Sequence, residues 1–261
     1  MKIALVSLNQ VWEDKKANQA SCQEYIEKAS ALKADLIIFP EMTLTGFSMN
    51  TDLISESPDQ SNTLDFFSGH SIRNSIGIAF GVVLRKDDKA TNNLIILDKN
   101  GNLLANYAKI HPFSFSGENN YYAGGDKLGS CRLENAEIGL SICYDIRFPE
   151  IFQALSKSCN LILTIANWPE KRIRHWNTLL EARAIENQLF MIGVNRTGTD
   201  GNNLRYVKSS VVFDPTGEKI ESSHSYLDMD IFDLELSKTQ TVRNGFPLKQ
   251  DRKTEFYKSI L

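Results

Sequence analysis

Residues 136–168, AEIGLSICYDIRFPEIFQALSKSCNLILTIANW, decide the fold. The apolar run 136–143 predicts a strand, residues 147–157 predict a helix, and the apolar run 160–168 predicts a second strand. A strand, a helix and a strand in this order are typical of a βαβ unit. Cys143 stands at the carboxyl end of the first strand and just before the helix, where α/β folds expose reactive groups.

The same alternation extends in both directions from this unit. Further predicted elements are strands at 2–8, 35–40, 76–84 and 189–195, helices near 61–74 and 174–188, an early helix with the apolar face Cys22, Tyr25, Ile26, Ala29 and Leu32, and hairpins around 98–101 and within 211–220. No low-complexity linker or short repeat interrupts this pattern. We therefore expect a single α/β domain over residues 1–261, with central sheets and outer helices.

Composition excludes several classes of function. The chain has 261 residues, 42% of them hydrophobic, a net charge of −3 and an isoelectric point near 5.9. Basic and acidic residues are interspersed, so we expect no nucleic-acid partner. No window approaches 18 consecutive apolar residues, and the apolar start is too short for a signal peptide core. We expect a soluble, cytoplasmic protein that does not bind a membrane.

The cysteines and histidines are few and scattered. The four cysteines contain no CxxC pair, which is not the composition of a disulfide framework and fits a reducing compartment. The four histidines form no HExxH motif and no Cys/His cluster. We therefore expect no dedicated metal site.

Two residues at strand ends are candidates for chemistry. The start of a helix favours a thiolate at Cys143, although a free cysteine is more often a buried structural thiol. Glu41 directly follows the predicted strand 35–40, and Pro40 fixes the chain before it. Its apolar neighbours Met42, Leu44 and Phe47 could exclude water from the carboxylate, as a general base requires.

Lys109 is a third candidate. It lies in NYAKIHPFSFSGEN (106–119), an unusually apolar setting for an ammonium group, and Glu118 offers a partner charge nine residues later. Together the three residues supply a nucleophile, a base and a cation for an oxyanion. A cysteine nucleophile needs a base because little of an ordinary thiol is ionised near neutral pH. Only His111 lies near any of the three, so we predict that a carboxylate serves, with a Cys-His hydrolase as the alternative.

These residues resemble the nitrilase, or carbon-nitrogen hydrolase, superfamily, whose Glu-Lys-Cys triad has this order. Glu41 follows Phe-Pro, Lys109 lies in Tyr-Ala-Lys, and Cys143 begins CYDIRFPE. Three longer stretches are similar to the bacterial omega-amidase branch: HPFSFSGENNYYAGG (111–125), ANWPEKRIRHWNTLLEARAIENQ (166–188) and GVNRTGTDGN (193–202). The resemblance runs from the first strand to residues 245–247.

The resemblance implies a fold and an assembly that periodicity alone does not show. The expected fold is a four-layer αββα sandwich of two mixed sheets with outer helices. The expected assembly is a homodimer whose layers stack, with a tail from about residue 240 packing on the partner.

The resemblance also implies a mechanism without metal or cofactor. Glu41 accepts the proton of Cys143, the thiolate attacks an amide carbonyl, and Lys109 with the backbone N–H of Tyr144 stabilises the oxyanion. Glu118 is a second carboxylate that positions Lys109. Ammonia leaves, and water hydrolyses the thioester.

The omega-amidase branch implies a small-molecule substrate, the terminal amide of a 2-oxo dicarboxylic acid monoamide such as 2-oxoglutaramate or 2-oxosuccinamate. The far carboxylate favours an arginine partner, and we predict Arg172. Arg147 is expected to be structural, tied to Asp145 or Glu150, and Arg174 to be solvated. The residues expected to line the pocket are Phe115, Tyr122 and Trp168.

Other functions stay open at this point. The chain could be another amidase of the superfamily acting on a different linear amide or carbamoyl compound, or a catalytically silent scaffold. Retention of all four candidate residues argues against a silent copy. Residues 208–210, Lys-Ser-Ser, replace a stretch that begins with glycine in many relatives, so backbone freedom differs there and substrate preference is the property affected.

Overall fold

Two β-sheets form the centre of the molecule. The structure is a computed structural model, and it describes residues 1–85 and 88–260. The described strands are β1 (Lys2–Val6), β2 (Leu36–Ile38), β3 (Gly77–Arg85), β4 (Ala90–Leu97), β5 (Leu103–Ala108), β6 (Gly129–Leu133), β7 (Ala136–Ile142), β8 (Leu161–Ala166), β9 (Phe190–Asn195), β10 (Gly198–Thr199), β11 (Arg205–Tyr206), β12 (Val211–Phe213), β13 (His224–Tyr226) and β14 (Met229–Asp233).

Both sheets are mixed. The first has the order β13-β14-β1-β2-β3-β4-β5, with β1, β2 and β3 parallel and the remaining pairings antiparallel. The second has the order β12-β9-β8-β7-β6, with β7, β8 and β9 parallel and antiparallel strands at both edges. The parallel pairing of β7 with β8 confirms the βαβ unit predicted from residues 136–168.

Helices cover the outer face of each sheet. The described α-helices are α1 (Lys15–Ala31), α2 (Thr51–Ile54), α3 (Asn62–Asn74), α4 (Glu118–Tyr121), α5 (Pro149–Leu155), α6 (Ile173–Asn187), α7 (Ser237–Gly245) and α8 (Thr254–Ile260). Side chains of α1 and α3 pack on the first sheet, and those of α5 and α6 pack on the second.

The alternation of β1 shows how the layers separate. Ile3 and Leu5 point into the core between the two sheets, whereas Ala4 and Val6 point toward α1 and α3. The layers therefore follow the order helix, sheet, sheet, helix, which confirms the αββα sandwich. Within the described residues, no helix is both long and apolar enough to cross a membrane.

The hairpin after β12 differs from its prediction, and several strands were not predicted. Strand β12 is followed by the predicted turn, but the returning chain forms a single antiparallel bridge, Phe213 with Lys219, instead of a second strand. Two backbone bonds flank this bridge, from Ile220 N–H to the Val212 carbonyl and from Asp214 N–H to the Glu218 carbonyl, both 2.9 Å. The sequence did not predict β6, β10, β11, β13 or β14. The first and last of these are added in antiparallel pairing to β7 and β1.

The chain after residue 237 contacts its own subunit. Arg243 donates hydrogen bonds to the carbonyls of Gln188 and Cys159, 3.0 and 3.1 Å, and Arg252 donates to Gln153, 2.7 Å. Helix α8 follows, and Phe256 on it is exposed. Contact of this tail with a partner subunit stays a prediction.

Gly81 in β3 lets the sheet approach the chain that follows β2. A Cβ atom at Gly81 would lie 2.2 Å from the Met42 nitrogen and 2.9 Å from the Glu41 Cα. Both neighbours are backbone atoms, which cannot rotate away. No residue with a side chain fits at this position.

We therefore expect Gly81→Ala to lower the free energy of unfolding by about 1–3 kcal/mol, the usual cost of overpacking a core. Urea unfolding followed by circular dichroism measures the change. The matched control is Gly245→Ala, because nothing lies within 4 Å of a Cβ added there. Equal midpoints for the two variants would contradict the close approach.

Candidate functional site

Glu41 lies in a tight turn directly after β2. Met42 has a left-handed backbone, with φ of 47°, which turns the chain beneath Gly81. The side-chain amide of Gln10 donates to the Glu41 and Met42 carbonyls, 3.0 and 2.9 Å, and the Asn167 amide donates to the Glu41 carbonyl, 2.6 Å. The backbone that carries the carboxylate is therefore held from two sides.

The Glu41 carboxylate is fully buried and fully hydrogen-bonded. Its Oε1 accepts from Lys109 Nζ at 3.1 Å and from the Asn92 amide at 2.7 Å. Its Oε2 accepts from the backbone N–H of Asn167 at 2.8 Å. These donors stabilise a carboxylate where no water reaches it.

Lys109 lies between two carboxylates. Its Nζ is 3.1 Å from Glu41 Oε1 and 2.9 Å from Glu118 Oε2, and its side chain is 1% exposed. Burial by itself lowers the pKa of Lys109, but Glu118 and then Glu41 hold that pKa well above its usual value. The ammonium is therefore retained, and Glu118 fixes its position.

Cys143 directly follows β7 and begins a short 3-10 helix, Cys143–Arg147. Its φ of 48° is left-handed, a conformation that costs energy for a residue with a side chain and is often found at functional sites. Burial raises the pKa of the thiol, Glu41 raises it further, and Lys109 and the Asn167 N–H oppose them, so the net pKa is well above the usual value. The resting thiol is therefore neutral and lies within the field of the two carboxylates and the ammonium.

Asp145 joins the lysine segment to the cysteine turn, a role that the sequence did not reveal. Its Oδ2 accepts from the Tyr107 hydroxyl at 2.7 Å and from the Ile142 N–H at 3.0 Å. Its Oδ1 accepts from the His111 backbone N–H at 3.0 Å and lies 3.0 Å from the ring Nδ1. One buried carboxylate thus ties the chain after β5 to the chain after β7.

The position of His111 bears on the Cys-His alternative. Its ring pairs with Asp145 and stacks on Phe148, with centroids 3.7 Å apart and planes 12° apart. The charge of the Glu41 carboxylate, by contrast, raises the pKa of the Cys143 thiol. The His111 ring is thus engaged by Asp145 and Phe148, and the identity of the base stays a prediction.

A cavity opens above Cys143. Its lining residues are Phe47, Phe113, Ser116, Cys143, Tyr144, Arg147, Asn167, Trp168, Pro169, Arg172, Leu204 and Tyr206. Arg147 and Arg172 are the two charged residues of this lining. Arg172 lies over the Phe113 ring at 5.4 Å, and Arg147 lies over the Trp168 ring at 4.9 Å.

The placement of Arg147 corrects its expected structural role. Among the described contacts, neither Asp145 nor Glu150 pairs with it; its guanidinium lies 3.3 Å from the His175 ring instead. Arg174 is exposed, as expected.

The other predicted lining residues divide into two groups. Trp168 lines the cavity, and Tyr144 lines it with its backbone N–H near the start of the 3-10 helix, where such groups have no helical acceptor. Phe115 is not among the residues that line the cavity, and it is 86% exposed. Tyr122 is buried behind Glu41, where its hydroxyl donates to the Ser48 carbonyl, 2.6 Å.

In the described parts of the chain, no three side chains of His, Cys, Asp or Glu lie close enough together to hold a metal ion. All four cysteines are free thiols.

The chain is similar to known proteins in sequence and in structure. The carbon-nitrogen hydrolase family matches residues 2–244. Omega-amidase YafV of Yersinia enterocolitica is 33% identical over 252 residues, 96% of each chain. The 2-oxoglutaramate amidase of Bacillus subtilis (strain 168) is 31% identical over 243 residues, 92% of this chain and 93% of its own.

Solved structures give the same result. XC1258 of Xanthomonas campestris, a CN-hydrolase superfamily protein with an arsenic adduct in the active site, superposes with a TM-score of 0.89. It is 30% identical to this chain, and the superposition covers 97% of each of the two chains. Nit3 of Saccharomyces cerevisiae, 23% identical with a TM-score of 0.85, shares the fold.

The raised pKa of Cys143 predicts how the rate of its alkylation depends on pH. Because the pKa of Cys143 is raised, its reaction with iodoacetamide should be slow near pH 7 and accelerate as the pH rises beyond the usual range for a thiol. Glu41→Gln removes a negative charge, so we expect its alkylation profile to shift to lower pH. Mass spectrometry of the Cys143 peptide over pH 6–11 measures this rate.

Cys131 provides the control within the same chain, because burial raises its pKa to about 12 and Glu41 is not among the groups that act on it. Its profile should not change in the Glu41→Gln variant. A shift of the Cys143 profile to higher pH would contradict the charge assignment.

Proposed function

The chain belongs to the carbon-nitrogen hydrolase family, and from this premise we propose that it is an omega-amidase. The reaction is hydrolysis of the terminal amide of a 2-oxo dicarboxylic acid monoamide, 2-oxoglutaramate or 2-oxosuccinamate, to the 2-oxo acid and ammonia. One observation carries the substrate assignment: the cavity above the thiol has two charged lining residues, and both are arginines. Relatives that bear the omega-amidase and 2-oxoglutaramate amidase names support it.

The first half of the reaction forms a thioester. Glu41 accepts the proton of the Cys143 thiol, and the sulfur attacks the amide carbonyl. Lys109 and the Tyr144 N–H donate to the oxyanion; one such donor is commonly worth about 3–4 kcal/mol of barrier. Glu41 then gives its proton to the leaving nitrogen, the carbon-nitrogen bond breaks, and ammonia departs.

The second half returns the enzyme to its starting state. Glu41 accepts a proton from water, and the hydroxide attacks the thioester carbonyl while the same donors stabilise the second oxyanion. The carbon-sulfur bond breaks, the thiol recovers its proton, and the carboxylic acid product leaves. Glu118 contributes throughout by holding the Lys109 ammonium, 2.9 Å away.

Arg172 is proposed to bind the far carboxylate of the substrate, and Arg147 assists it. Both residues line the cavity, and each guanidinium lies over an aromatic ring of the same lining. A planar guanidinium in a fixed orientation can donate two parallel hydrogen bonds to a carboxylate. Trp168 forms the apolar wall between them.

We also propose a homodimer and a cytoplasmic location. Phe256 and Ile260 expose apolar surface on α8, which fits contact of the tail with a partner. The four free thiols fit a reducing compartment. Light scattering during size exclusion tests the dimer: a mass near 59 kDa, about twice the chain's 29.5 kDa, is expected, and a single-chain mass would contradict it.

The first activity experiment compares amides. We expect ammonia release from 2-oxoglutaramate and 2-oxosuccinamate to exceed that from glutamine, asparagine and a simple nitrile by about 10–100-fold. The two cavity arginines pair with the carboxylate of the oxo amides, which a simple nitrile lacks, and they repel the α-ammonium group of glutamine and asparagine; a hydrogen bond to a charged group contributes about 1.5–3 kcal/mol. Cys143→Ala should abolish the release.

Turnover of a different amide through Cys143, without oxo-amide activity, would keep the mechanism and reject the substrate. Activity that survives in Cys143→Ala would reject the nucleophile.

The arginines make a separate prediction. Arg172→Gln should lower kcat/KM for 2-oxoglutaramate about 10–100-fold, and Arg147→Gln should lower it by a smaller factor, because each removes a charged donor. Propanamide, which has no carboxylate, is the control substrate and should be turned over equally by both variants and the parent. Equal losses on both substrates would show that the arginines only support the fold.

A further inference from the structure

The stretch GVNRTGTDGN (193–202) contains buried charged groups that the proposed mechanism does not use. Arg196 and Asp200 are both buried, and both contact Tyr206. Tyr206 is 4% exposed and lines the cavity that contains Cys143. This arrangement connects a sequence motif to one wall of the cavity.

Asp200 fixes that wall with a single carboxylate. Its Oδ2 accepts from the Tyr206 hydroxyl at 2.8 Å. Its Oδ1 accepts from the backbone N–H groups of Asn202 and Leu204 at 2.8 and 2.9 Å. Leu204 also lines the cavity, so one side chain sets the position of both lining residues. Because the hydroxyl is bound to Asp200, Tyr206 offers its ring to the substrate.

Arg196 supports the same ring from another side. Its guanidinium lies 4.8 Å from the centroid of the Tyr206 ring, and the residue is fully buried. It donates to the carbonyls of Gln10 and Thr197, 2.9 and 3.0 Å. Gln10 in turn donates to the carbonyl of Glu41. The wall and the proposed base are thus held by one continuous set of contacts.

We propose that Tyr206, with Leu204 at its edge, limits the length of the acyl chain that the enzyme accepts, and that Asp200 is the positioning residue for this wall. This inference rests on the proposed amidase function and adds a length limit to it. The Tyr206 ring is buried and held on two sides, so it cannot retreat to admit an additional methylene group, and such a group commonly changes kcat/KM by about 10–200-fold. A substrate that is too long would hold its carbonyl away from the sulfur.

The experiment measures kcat/KM for 2-oxo monoamides with four, five and six carbons, from ammonia release. We expect the parent enzyme to prefer the five-carbon over the six-carbon amide by at least about tenfold. Leu204→Ala, Tyr206→Phe and Asp200→Asn should each reduce this ratio severalfold, the first by enlarging the cavity and the others by releasing the ring. Tyr226→Phe is the matched control, because its hydroxyl bonds to Glu24 on the exterior, and it should keep the parent ratio.

A merely structural role would lower kcat/KM for all three amides by the same factor and leave the ratio unchanged, and that result would overturn the inference. Tyr206→Phe retains the ring, so the test does not depend on whether Asp200→Asn folds.

The same kcat/KM values are measured for propanamide, butanamide and pentanamide. Discrimination by chain length is then known for both the oxo amides and the simple amides. If the parent enzyme hydrolyses only the simple amides, the proposed substrate is wrong and the inference is judged on their ratios. If it hydrolyses the oxo amides and the variants keep its ratio, the inference alone is wrong.

Discussion

The site depends on one interaction, the ammonium of Lys109 held between the carboxylates of Glu41 and Glu118. All three groups are buried, and Lys109 Nζ lies within 3.1 Å of an oxygen on each side. Burying a lone charge costs several kcal/mol, so removal of one member leaves the others poorly compensated. An apolar cluster of similar volume would serve stability equally well or better. The charged arrangement is therefore explained by chemistry more than by stability.

The rest of the fold brings this cluster to the sulfur. Glu41 comes from the first sheet and Cys143 from the second, and Asn167 lies at the end of β8, where it donates to Glu41. Asp145 adds a second connection, between the ends of β5 and β7. Because the ends of parallel strands meet along one edge of each sheet, packing the two sheets face to face brings both sets of residues together.

The sequence predicted local features well and long-range contacts poorly. The βαβ unit of residues 136–168 and the first hairpin follow from periodicity and turn residues, which depend on neighbouring positions. The four-layer arrangement came only from the family resemblance. Gln10 and Asn92 give no signal in the sequence, because a buried amide that bonds a distant backbone or carboxylate resembles any other polar residue. The partner of Arg147 was predicted wrongly for a related reason. Acidic residues nearby in the sequence suggested an ion pair, whereas in the folded chain the guanidinium lies over the Trp168 ring.

The charge balance of the cluster explains why a neutral thiol suits this site. With Cys143 protonated, the two carboxylates and the ammonium sum to one negative charge. Transfer of the thiol proton to Glu41 gives a thiolate and a neutral acid, and the sum is unchanged. The proton moves within a mostly buried group of side chains, so no net charge enters or leaves this low-dielectric region. A thiolate that was permanent at rest would place a third negative charge beside Glu41 and Glu118, and the same carboxylates that raise the pKa of Cys143 oppose that state. The same arrangement of charges therefore supplies a base for the Cys143 thiol and raises the pKa of that thiol.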